Sequence, residues 1–536
     1  MNRRDLVTWA GGSLAATTIP ALASQPASSP AQITNWLNIR NFGATGDGKS
    51  IDSPAINRAI EAAASAGGGT IYFPAGTYAS YSIRLKSHIT LYLDQGATIL
   101  AAPTPHDGLP TGGYDPAEPQ GAWEPYQDYG HNHWHNSLIW GEAIHDIAIL
   151  GPGLIWGKGL SRGWDREMEL PDSNKLGVGN KSIALKNCFN VTLRDFAILQ
   201  GGWFGLLATG VDNLTVDNLR IDTNRDGMDF DCCRNVRVSN CTVNSPWDDG
   251  ICPKSSYALG YGRPTENMTI TNCYVTGGYQ LGSVLDGTWK LHAPGEKAYR
   301  TGRIKCGTES NGGFKNITVS NCVFDRCHGF ELVSEDGAVC EDITVTNLTM
   351  RNVVNAPIFL RLGSRMRGPK DTPVGSIKRM LFSNISSSGG TPALISGIPG
   401  SLIEDLKFSD IFFQQSGGGT PESAALQPPE NESKYPDPEM FGQLPASGFF
   451  MRHIRNVEMS NIEIATDSPD ARPAFWLYDV QGADFFRVRT PHASESSPST
   501  SSPAPAFALK EVANFRHFGS QFIPDYTNPK IDRHQF

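Results

Sequence analysis

Asn213-Leu-Thr-Val-Asp-Asn218 and, one unit later, Asn235-Val-Arg-Val-Ser-Asn240 carry the pattern that decides the fold. Between an opening and a closing Asn, apolar residues occupy every second position: Leu214 and Val216, then Val236 and Val238. A period of two puts them on one face of a strand, whereas a helix would need a period near 3.6. The pattern also occurs at Asn190–Asp195, Asn267–Asn272, Asn316–Asn321, Asp342–Asn347, Arg379–Asn384, Asp405–Asp410 and Asn456–Asn461. Starts 22 to 26 residues apart set the unit, and intervals of 32 to 51 residues carry insertions. So short a unit, with no helix of its own, buries no core alone and must stack on its neighbours. The Asn at the strand end can turn the chain and bond to its equivalent in the next coil. These features predict an all-β parallel β-helix. A leucine-rich repeat would show Leu-x-x-Leu-x-Leu, which is absent, and a propeller blade would need about four strands per unit.

The ends follow from the same logic. Ser53 to Ala66 is the one clear helix, with Ser53 as N-cap, Pro54 at N1 and Gly67 beyond its end, and it fits a plug on the N-terminal coil. Arg3 and Arg4, the apolar run from Leu6 to Leu22 and Ala21-Leu-Ala23 read as a twin-arginine type signal over 1–23. Residues 24–33 read as a leader, and 34–536 as one β-helix domain with loops at roughly 101–136, 279–301 and 416–447. Low-complexity Ser494–Pro505 precedes an expected last strand at Ala506–Phe518. A net charge of −9 argues against a nucleic-acid partner, which would want a basic face. All ten cysteines lie between Cys188 and Cys340, four of them directly after an Asn, and none forms Cys-x-x-Cys. That placement predicts small buried thiols stacked inside the coils, one disulfide at most and no metal site.

The chemistry concentrates in Asn224-Arg-Asp-Gly-Met-Asp-Phe-Asp231 and Trp247-Asp-Asp-Gly-Ile-Cys-Pro-Lys254. Stacking brings Asp226, Asp248 and Asp249 onto one patch, where mutual repulsion must raise some pKa values and so separate an acid from a base. Either motif alone would read as a turn. Asp229 and Asp231 read as structural, pointing elsewhere along the strand. His131-Asn-His-Trp-His135 could share one strand face and hold zinc, but among so many aromatics it reads as sugar contacts or packing.

These residues resemble glycoside hydrolase family 28, the polygalacturonase-like enzymes. Asn41-Phe-Gly-Ala-Thr-Gly-Asp-Gly48, Gly67-Gly-Gly-Thr-Ile-Tyr-Phe-Pro74 and Gly151-Pro-Gly-Leu-Ile-Trp-Gly157 are similar to the family's opening coils. The resemblance implies a right-handed helix and an inverting hydrolase. Asp248 would be the general acid, with Asp226 and Asp249 holding and deprotonating the water; an inverting pair is typically about 6.5–9.5 Å apart. The family's Gly-His-Gly is absent, that stretch reading Gly277-Gly-Tyr-Gln-Leu-Gly-Ser283. Its Arg-Ile-Lys, which grips a galacturonate carboxylate, has a literal match at Arg303-Ile-Lys305. The residues that follow align better with the Gly-His-Gly coil, which makes acidic Cys327–Gly337 the counterpart of the Arg-Ile-Lys coil. The chain therefore reads as a divergent member, and the resemblance leaves open whether its −1 sugar is galacturonate or another sugar. Its expected substrate contacts are Asn224, Trp247, Lys254, Arg303, Lys305, Glu309 and His328. The partner is a carbohydrate, with no metal, no cofactor, no nucleic acid and no membrane insertion after signal removal, in the periplasm or secreted. Loops 101–136 and 279–301, with Trp123, Trp134 and Trp289 as walls, predict exo-action. The rivals are a β-helix polysaccharide lyase and a non-catalytic carbohydrate-binding solenoid.

Overall fold

The computed structural model describes residues 36–103, 113–127, 129–161, 176–296, 298–490, 504–521 and 523–536. The expected signal and leader, residues 104–112 and 128 of the first loop, and residues 494–503 lie outside these. Trp36–Phe536 is a right-handed parallel β-helix. Strands Phe189–Arg194, Asp212–Asp217, Arg234–Ser239, Thr265–Thr271 and Phe314–Asp325 stack in one register, with Val191, Leu214, Val236, Met268 and Ile317 above one another. All five side chains point into one continuous apolar core.

The Asn residues act as the repeat predicts. Asn213, Asn235 and Asn267 take φ of 55°, 56° and 57°, a left-handed conformation that costs most residues about 1–2 kcal/mol and that Asn tolerates. Each side-chain amide donates to the Asn of the preceding coil: Asn213 to Asn190 at 3.0 Å, Asn235 to Asn213 at 3.2 Å and Asn267 to Asn235 at 3.3 Å. A second ladder joins the closing positions, as in Asn218 to Asp195 at 3.0 Å and Asn347 to Asn321 at 3.1 Å. All ten cysteines are buried and unpaired. The sulfurs of Cys241, Cys273 and Cys322 stack in successive coils inside the closing ladder.

Both ends are covered. Helix Ser53–Ser65 buries Ala55, Ile56, Ala59, Ile60 and Ala63 on the first coil. Its N-cap is Asp52, one residue before the Ser53 expected, and the Asp52 carboxylate accepts from the Thr45 and Gly46 amides at 2.7 and 3.0 Å. Strand Phe507–Phe518 is not the last: Tyr526–Gln535 folds back antiparallel along it and closes the open sheet edge. Among the described residues no helix is long and apolar enough to cross a membrane.

Candidate active site

One sheet of the helix carries the site. Its strands Lys181–Lys186, Phe204–Thr209, Asp226–Asp231 and Ile251–Lys254 pair in sequence, and Ile304 extends the stack by bridging to Ile251. In Asp226–Asp231, Met228 and Phe230 turn into the core, so Asp229 and Asp231 must face outward. Lys305 pairs in register with Glu331 of strand Phe330–Ser334. The carboxylates of one coil, the cations of the next and the acid of a third therefore share one face.

Oxygens of Asp226, Asp248 and Asp249 lie within 4.8 Å of one another. Asp226 is 4% exposed, and its Oδ1 has no hydrogen-bond partner among the described residues. Burial first, then the charges of Asp229 and Asp248, raise its carboxyl well above the usual carboxylate range. Asp249 goes the other way. Burial opposes its charge, but Arg303, Lys305 and Lys254 outweigh it and hold the group well below the usual range. Arg303 Nε donates to Asp249 Oδ1 at 2.7 Å, and Lys305 Nζ lies 3.3 Å from Oδ2. Asp248 has a quarter of its side chain exposed and pairs with Arg225 at 3.2 Å. One patch thus holds a carboxyl pushed up, a second held down and a third that is partly exposed.

Asp229 corrects the sequence reading, because it belongs to this cluster: it lies 3.6 Å from Lys254 and close to Asp226. Asp231 is structural as expected, its carboxylate accepting from the Ser256 amide at 2.7 Å and the Ser256 hydroxyl at 2.5 Å. Lys254 is buried beneath the carboxylates, 3.3 Å from Glu309, and Glu309 also pairs with Arg367 at 3.0 Å. Arg303 and Lys305 both contact Glu331, which is fully buried. His328 completes the chain. An arginine only donates, so the 3.3 Å contact from Arg303 Nη1 makes His328 Nδ1 the acceptor, and Nε2–H donates to the Tyr299 carbonyl at 3.2 Å. Burial, then the Arg303 charge, pushes His328 down to about 4, so it is neutral near pH 7. Asn224 is half-buried with its Oδ1 unpartnered among the described residues, and Trp247 stacks on His292 at 5.6 Å.

The three loops have unequal roles. Residues 279–301 are fixed to the catalytic coils: the Val284 amide donates to Asp222 at 3.0 Å, and the segment supplies His292 and Tyr299. The 416–447 loop, given no role from sequence, places the Tyr435 hydroxyl 3.4 Å from Lys305 Nζ and 3.0 Å from the Thr308 hydroxyl. Buried Arg361 and Arg452 hold its base by donating to the carbonyls of Pro428, Pro429, Glu430 and Asn431. In the first loop, Trp134 is no sugar-binding wall. It is 2% exposed, donates to Thr209 at 3.0 Å and packs on Phe204 and Leu207. The three histidines part company because Tyr129–Asn132 is a turn of 3-10 helix and not a strand. His131 meets Asp229 at 3.5 Å, His133 meets Glu124 at 3.5 Å and His135 meets Glu142 at 2.8 Å.

Residues 124–291 match the model of glycosyl hydrolases family 28, and residues 36–105 match that of rhamnogalacturonase A/epimerase, pectate lyase-like. The chain is 26% identical over 272 residues to a "Probable polygalacturonase" of Vitis vinifera, covering 46% of this chain and 51% of that one. It is 23% identical over 454 residues to the exo-poly-alpha-D-galacturonosidase of Dickeya chrysanthemi, covering 70% and 71% respectively. The exopolygalacturonase structure from Thermotoga maritima superposes with a TM-score of 0.59 at 18% identity, over 82% of this chain and 93% of that one, and so supports the fold. The chain spans about half the length of the grape protein it matches. The chain is polygalacturonase-like, and over residues 124–291 it is similar to glycosyl hydrolases family 28.

Proposed function

We propose that this chain is an exported glycoside hydrolase that removes sugar from the ends of a pectin-related glycan with inversion at the anomeric carbon. The observation that carries the proposal is the convergence of Asp226, Asp248 and Asp249 within 4.8 Å, with Arg303 and Lys305 pairing with Asp249 and not with the other two. Asp249, held ionised, serves as base for the attacking water. Asp248, the most exposed of the three, protonates the leaving oxygen. Burial and the charges of Asp229 and Asp248 push the Asp226 carboxyl up, which favours its protonated form beside Asp248. These oxygens approach more closely than the about 6.5–9.5 Å usual between inverting carboxyls, so inversion rests on the family resemblance and not on spacing. The direction of the Asp226 shift favours a second assignment, in which Asp226 is itself the acid and Asp248 positions the water.

Exo-action draws support from the 279–301 segment fixed at the catalytic coils and from Tyr435 beside Lys305, both of which add chain next to the carboxylates. The Dickeya relative's name points the same way. Export rests on the arginine pair and apolar run at the N-terminus. Asp226→Asn, Asp248→Asn and Asp249→Asn, assayed on a panel of pectic and microbial glycans, test the reading. Loss of turnover in folded variants is expected; cleavage at wild-type rate by any of them overturns the role given to that carboxylate.

A further inference from the structure

The cations of the literal Arg303-Ile-Lys305 match are paired within the protein. Near the carboxylates, Arg225 pairs with Asp248 at 3.2 Å, Lys254 with Glu309 at 3.3 Å and Arg367 with Glu309 at 3.0 Å. Arg303 and Lys305 are each shared between Asp249 and Glu331. Glu331 tips the balance. It comes from the coil directly after Arg303-Ile-Lys305 and is fully buried, with one carboxyl oxygen against Arg303 Nη1 and the other 3.4 Å from Lys305 Nζ; burial pushes its carboxyl up while the two cations pull it down. Tyr435 then covers Lys305 with its ring centre 5.6 Å from the amine, and Asp437 adds another negative charge to the field at Arg303. A carboxylate brought here finds cations already committed and several anions near them, and like-charge juxtaposition in a desolvated site is strongly unfavourable. Sugar hydroxyls meet no such barrier, because a carboxylate accepts their hydrogen bonds.

We propose that the sugar seated against Asp248 is uncharged: a neutral hexose or deoxyhexose, or a uronate whose carboxyl is esterified. The proposal rests on the hydrolase reading and narrows its substrate. It is tested by kcat/KM of the full chain on three probes. These are galacturonate oligosaccharides with free carboxylates, the same oligosaccharides fully methyl-esterified, and neutral aryl α-hexosides and α-deoxyhexosides. The expected result is cleavage of an uncharged probe at least about tenfold better than of the free acid, with Glu331→Gln narrowing that gap. Cleavage confined to the ester assigns a masked uronate, and cleavage of an aryl glycoside assigns a neutral sugar. Wild-type preference for the free acid overturns the proposal, whether or not Glu331→Gln folds. If no probe is cleaved, the hydrolase reading fails, and calorimetric binding to Asp248→Asn protein decides the charge question separately. Tighter binding of an uncharged probe upholds the proposal; tighter binding of the free acid, or no binding, overturns it.

Discussion

Replacing Arg303 with Met keeps the side-chain stem and removes the charge that holds Asp249 ionised. The guanidinium lies 2.7 Å from the Asp249 oxygen and both groups are buried. Charge centres about 4 Å apart attract by about 4 kcal/mol at an effective dielectric near 20. That equals about three pK units, at about 1.4 kcal/mol per unit. Lys305 at 3.3 Å keeps part of the field, while Glu331 loses one of its two cations and repels Asp249 more. The Asp249 ionisation should therefore climb by about three units, and the acid limb of kcat/KM should climb with it. Stability follows the same sign. A carboxyl depressed in the folded state contributes stability above its unfolded value of 3.8 and loses it as pH falls through the folded value. Arg303→Met should therefore be destabilised by about 3–5 kcal/mol near neutrality, with the deficit shrinking in acid. Paired pH–rate profiles and urea unfolding measure both effects. An acid limb that moves by less than about half a unit, with an unchanged unfolding midpoint, refutes the electrostatic account of the base.

Asp248→Asn should keep its unfolding midpoint and lose about 10²- to 10⁴-fold in turnover, because the amide keeps the volume but holds no transferable proton; steady-state rates beside circular dichroism check this. Asn235→Ala should cost about 1–2 kcal/mol by removing both ladder bonds while keeping a Cβ at φ 56°, and Asn235→Gly should cost less, as unfolding curves will show. His328 sits at about 4 folded against 6.5 unfolded, so its neutral form contributes stability in full above pH 6.5 and loses it as pH falls toward 4. His328→Gln should remove that acid-side loss, which a melting-temperature series from pH 4 to 8 reads directly. Incubation with a chelator should leave activity unchanged, since Arg303, Lys305 and Lys254 already supply the positive charge at the carboxylates; loss of activity restored by one divalent ion would contradict this.

The strands were legible because the apolar face of each coil repeats at every second residue between two Asn turns, as in Asn213–Asn218. The closing strand Tyr526–Gln535 was not, because it covers an edge and buries little: Ile531 is its one buried residue. Asp226, Asp248 and Asp249 could be placed together from sequence because only one coil separates them, and Arg303 and Lys305 because they lie in the next coil. Tyr435 is 130 residues from Lys305, and His131 reaches Asp229 from an insertion, so no repeat spacing announces either. Asp229 was misplaced because strand parity sends it outward beside Lys254, where charge and not turn geometry decides its role. The acidity of the coil carrying Glu331 was legible. Its pairing with both cations was not, since that depends on how the coils stack.

Nuclear magnetic resonance of the products, recorded from the first minutes on pectin-derived oligosaccharides, tests the central claim most directly. The account predicts a saturated sugar or short unit released from chain ends, appearing first as the anomer opposite to the bond cleaved. An unsaturated product, a retained anomer, or no product across free, esterified and neutral substrates would contradict it.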